Sequence, residues 1–104
     1  MEIQEAFDKI VEHAKLGIIS RNGQNVCRLR GNNGSKCFIG VLIDDSKYEV
    51  NLEMAAMKEL ITAAGVADGV FLRSMQLIHD NTTPHGWRSQ LKEYAEQHNL
   101  QFNW

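Results

Sequence analysis

One proline, two cysteines and no apolar run longer than six positions set the first limits on this 104-residue chain. The longest such run, residues 38–43, falls far short of the roughly 20 apolar residues that a bilayer-spanning helix needs. The opening Met1-Glu2-Ile3-Gln4-Glu5 lacks the basic start and apolar core of a signal peptide, so the expected location is the cytoplasm, with no membrane partner. Two cysteines are too few for a disulfide scaffold, and in a reducing compartment they are expected as packed thiols. Neither sign of charge dominates. Eleven Lys and Arg stand against 13 Asp and Glu, for a net charge of −2, which excludes a globally basic coat and disfavours nucleic-acid binding.

Catalytic signatures are missing as well. There is no G-x-S-x-G elbow, no H-E-x-x-H helix and no H-x-E with P-C-x-x-C, so serine hydrolase, zincin and zinc deaminase chemistry have no support. Cys27 and Cys37 form no C-x-x-C knuckle, and His79-Asp80 lacks the further ligands that a metal phosphohydrolase requires. No catalytic residue, metal or cofactor is therefore assigned, and the expectation is a protein that is not an enzyme. His79 reads as a surface or helix-terminal histidine. The glycine-rich stretch Gly31-Asn32-Asn33-Gly34-Ser35-Lys36 is not placed to open a helix as a phosphate loop must, and reads as a turn.

What is present is enough for one ordinary core. At 43% hydrophobic residues, a chain of this length buries roughly two-thirds of its extended surface, so residues 1–104 read as a single domain. Ile3, Ala6, Phe7, Ile10, Val11 and Ala14 recur at helical spacing, and Gly17 suits the left-handed residue that closes a helix. Between residues 18 and 43 the period drops to about 2 and turn signals appear, which predicts a β-hairpin with arms at 26–30 and 36–43 and a possible extra strand at Ile18-Ile19. The favoured register puts Cys27, Leu29, Cys37, Ile39, Val41 and Ile43 on one face. Arg28, Arg30 and Lys36 then share the other. Asn51 is the expected cap of a helix through Met57, Leu60, Ile61 and Ala64, closed by Gly65. Asp68 caps a third helix, apolar around most of its girth. Thr83-Pro84 opens a fourth with Trp87, Leu91, Tyr94 and Ala95 on one face. Residues 100–104 read as an edge strand or a docked tail. The expected class is α+β: an N-terminal helix, a small antiparallel hairpin sheet, and three helices packed on it.

Cys27-Arg28-Leu29-Arg30-Gly31, then Gly34-Ser35-Lys36-Cys37-Phe38-Ile39-Gly40 and Asp44-Asp45, resembles a short, uncharacterised family carried by tailed phages and prophages. Tyr48, Ile78-His79-Asp80, Trp87, Leu91 and His98 extend the resemblance over most of the chain. Leu29 stands where the family has an aromatic, and Val41 where a further cysteine is common, which argues against a cysteine-rich metal site. The resemblance implies a phage accessory protein in the host cytoplasm and supplies no catalytic residues. Small size and hot-spot residue types at Trp87 and Trp104 point to a non-enzymatic protein that binds and inhibits or redirects a host protein, with a defence component as one such target. The alternative is capture of a nucleotide or other phosphate-containing small molecule by Arg28, Arg30 and Lys36. The apolar girth of the third helix, from Val70 to Ile78, predicts a homodimer.

Overall fold

The computed structural model describes residues 1–19 and 28–104. Among the described residues there are four α-helices: α1 (Ile3–Ala14), α2 (Met57–Ala64), α3 (Gly69–Asn81) and α4 (Pro84–Gln97). Short 3-10 turns at Asn32–Gly34, Gly40–Leu42, Asp45–Lys47 and Val50–Met54 precede α2. No β-strand occurs among the described residues, so the fold is helical and the expected α+β class is corrected. No helix among them is long and apolar enough to cross a membrane.

The hairpin is where the expectation fails. Its first arm lies partly outside the described residues, at Val26 and Cys27, and Ile18 and Ile19 form no strand. The second arm folds back on itself, with Val41 N–H donating to the Cys37 carbonyl, Leu42 to Ile39 and Ile43 to Gly40 at 3.0–3.1 Å. A strand leaves alternate side chains outside, but here Cys37, Phe38, Ile39, Leu42 and Ile43 are all buried. Such an apolar run fits either pattern in sequence, and a turn that sinks both sets of side chains wins because it covers more apolar surface. Gly31 to Ser35 does form a tight closed turn, Gly31 N–H donating to the Ser35 carbonyl at 2.8 Å, though it joins no strands.

The helices follow their periodicity. Ala6, Phe7, Ile10, Val11 and Ala14 of α1 are buried, and Gly17 closes the helix at φ +68°. Asp68 caps α3 by accepting from Phe71 N–H at 3.0 Å. Pro84 is the first residue of α4, and Asn99, at φ +55°, turns the chain out of it so that Leu100 N–H reaches the Ala95 carbonyl. Asn51 does not cap α2. It lies within the 3-10 turn Val50–Met54, and Ala56 occupies the cap position without a side-chain bond.

Helix α3 is central, packed between α2 and α4, which buries Phe71, Leu72 and Met75. Its apolar girth is only partly taken up inside one chain, since Val70 and Leu77 stay 76% and 48% exposed. His79 joins this core instead of the surface, fully buried, its ring stacked 5.2 Å from Trp87 and edge-on 5.1 Å from Phe38. Its Nδ1 lies 2.9 Å from Asp80 Oδ1; a carboxylate only accepts, so the contact places the ring proton on Nδ1.

His13 on α1 ties this helix to the irregular stretch, its Nε2 lying 2.8 Å from the Lys36 carbonyl. Burial pushes its pKa below the ordinary 6.5, outweighing the opposing hydrogen bond to Lys36. Below pH 6.5 the unfolded chain then holds a proton that the native chain does not, so stability falls as pH drops from 6.5 toward the lower native value. Denaturant midpoints measured between pH 7.5 and 5 are expected to decline for the native protein, and His13→Gln is expected to flatten that decline.

Candidate functional site

The residues proposed for anion capture converge on acids that the sequence gives no local reason to pair with them. Glu53, in the 3-10 turn Val50–Met54, turns its carboxylate inward and accepts from the backbone N–H groups of Leu29 at 2.8 Å and Arg30 at 3.0 Å. Tyr48 O–H donates to the same carboxylate, and Arg28 Nε lies 3.5 Å from it. Burial, reinforced by that bond to Glu53, raises the Tyr48 pKa, so the phenol stays a donor.

Arg30 is spent on the fold. Its Nη1 donates to the Gly40 carbonyl at 2.7 Å and its Nη2 to the Ile43 carbonyl at 2.7 Å and to Asp45 Oδ1 at 2.9 Å. The guanidinium also lies 4.8 Å from the centre of the Tyr48 ring. One side chain thus holds both carbonyls, that of Gly40 also accepting from Ile43 N–H. Lys36 Nζ, 3.6 Å from Asp45 Oδ1, shares that acid. The predicted basic face is therefore brought together and paired with acids, Arg30 and Lys36 sharing Asp45 while Arg28 lies beside Glu53. A cleft of about 190 Å³ beside Arg28 is lined also by Glu53, Gln76 and Asp80, a balance of charge that disfavours a phosphate.

Gly40 makes this arrangement possible. A Cβ there would stand 2.3 Å from the Leu29 carbonyl oxygen, so only glycine lets the two backbones meet.

Of the two tryptophans expected at a partner surface, Trp87 is fully buried and belongs to the core with Phe38 and His79. Trp104 is 36% exposed and stacks 6.3 Å from Phe102, which packs in turn on Phe7 of α1. The tail holding it is docked and not a strand. Gln4 donates to the Gln101 carbonyl at 3.1 Å and accepts from Gln101 N–H at 2.9 Å. No family model matches this chain, and no curated protein or solved structure does.

No group of three or more His, Cys, Asp or Glu among the described residues lies close enough to hold a metal ion. Cys27 is outside those residues. Cys37 is buried, its Sγ accepting from Gly40 N–H at 3.3 Å, and burial raises its pKa to about 12. Since the thiolate is the reactive form, a Cys27→Ser variant is expected to resist thiol reagents at neutral pH and to label only once unfolded. Rapid labelling of the folded variant would contradict that placement.

Sequence reasoning missed one further feature. A groove of about 520 Å³ runs between the segment 47–52 and α2, lined by Leu52, Thr62 and Ala63 with Lys47, Glu49, Lys58 and Glu59 around it. Val50 and Met54, on the same 3-10 turn as Leu52, are 67% and 92% exposed. The sequence holds a trace of this: Val50 and Met54 fit neither the stripe of α2 nor any alternating pattern.

Proposed function

We propose that this chain is a small, non-enzymatic accessory protein of the kind carried by tailed phages, acting by binding and inhibiting or redirecting a host protein such as a defence component. The observation that carries the reading is the state of Trp104, an exposed indole held in place before any partner arrives. Its tail is fixed to α1 through the paired Gln4 and Gln101 bonds, and its ring rests on Phe102. An aromatic anchor that is already ordered loses little conformational freedom on binding, the property that makes Trp a common hot spot. Phosphate capture draws less support, because Arg30 has committed its donors to Gly40, Ile43 and Asp45. The test is affinity capture from infected host cells, comparing the native chain with Trp104→Ala. A host protein retained by the native chain and lost with Trp104→Ala, at unchanged melting temperature, is expected. Equal retention by both would overturn the role of the tail.

A further inference from the structure

From the groove beside α2 we infer that a second copy of this chain docks there, forming a two-fold dimer through the 3-10 turn Val50–Met54 and the outer face of α2. This goes beyond the host-binding reading and uses none of the residues on which that reading rests. The argument begins with charge. Lys47, Glu49, Lys58 and Glu59 surround the groove, two of each sign, and form no salt bridge or side-chain hydrogen bond among the described residues. A strongly acidic or basic partner would leave half of these charges facing their own sign. A copy of the same rim turned by a two-fold axis presents two acids and two bases in reversed order, so it can answer all four.

Shape points the same way. One five-residue turn carries both the protruding Val50 and Met54 and the Leu52 that lines the groove. Under two-fold symmetry each copy's protruding side chains meet the partner's groove in one closed, self-complementary contact. A stable interface takes about 600 Å² from each partner, roughly a tenth of this chain's 6223 Å². A contact built on one short turn and one face of an eight-residue helix is small on that scale, so association is expected only as concentration rises.

The experiment is sedimentation equilibrium on the full chain and on surface variants that leave the core untouched. The native chain is expected to associate to a dimer as concentration rises toward hundreds of micromolar. Lys47→Glu with Lys58→Glu makes the rim wholly acidic, and Glu49→Lys with Glu59→Lys makes it wholly basic. Each double variant alone is expected to lose at least about tenfold in association, while an equimolar mixture of the two recovers it as a heterodimer. The chain carrying all four changes keeps a self-complementary rim and is expected to dimerise like the native one. Met54→Asp is expected to be monomeric with an unchanged melting temperature. A native chain that stays monomeric throughout, or a dimer indifferent to the rim and to Met54, would overturn the inference.

Discussion

Trp87→Ala is expected to cost about 3–5 kcal/mol, the usual range for emptying a large buried aromatic site. A domain of this size has a total stability of roughly 5–15 kcal/mol, so the variant stands near the edge of folding. Trp87 has no solvent exposure and touches two rings at once, Phe38 at 4.9 Å and His79 at 5.2 Å. Removing the indole therefore leaves a void between α4, α3 and the irregular stretch that no single neighbour can fill. Trp87→Phe is expected to be much milder, about 1–2 kcal/mol, because the indole Nε1 has no hydrogen-bond partner among the described residues and its loss orphans nothing. Denaturant unfolding of the two variants measures the gap. Comparable small losses from both would place Trp87 at the surface.

Arg30→Ala is expected to cost about 3 kcal/mol or more, for a different reason. The substitution orphans the Ile43 carbonyl, at about 1–3 kcal/mol, and takes a charge-assisted bond of about 1.5–3 kcal/mol from the Gly40 carbonyl, which keeps only the Ile43 N–H. Arg30→Lys keeps the charge but has a single ammonium in place of a planar fork, so it is expected to recover less than half of the loss. Arg28→Ala, whose side chain is 32% exposed and stands 3.5 Å from Glu53, is expected to cost under about 1 kcal/mol. Were Arg30 a ligand-binding residue instead, Arg30→Ala would be nearly neutral to stability, as Arg28→Ala is expected to be.

Much of the helical frame is legible in the residues themselves. The stripe of α1, the left-handed Gly17 and Gly65, the Asp68 cap and Pro84 at the start of α4 all mark local events, decided within a turn or two of the chain. His79 carried a readable signal too, since it continues the buried spacing of Leu72 and Met75 along α3. The stretch from Arg28 to Met54 is different because its structure depends on distant partners. The sequence pattern sets Arg30 on a polar face, yet Arg30 finds Gly40, Ile43 and Asp45 ten to fifteen positions away. Glu53 likewise holds the Leu29 and Arg30 amides from 24 and 23 positions along. Nothing in local composition announces such pairings, and an apolar run between turn signals reads equally well as a strand.

That the basic residues serve the fold, leaving the protein to act through its surface, is tested most directly by thermal unfolding with inorganic phosphate and a panel of nucleotides and cyclic nucleotides. A ligand at a hundred times its dissociation constant adds about 2.7 kcal/mol, which raises the melting temperature of a domain this size by roughly 10 °C or more. No shift with any of them is the predicted result. A shift of that size, present in the native chain and abolished in a stably folded Arg28→Ala variant, would contradict it.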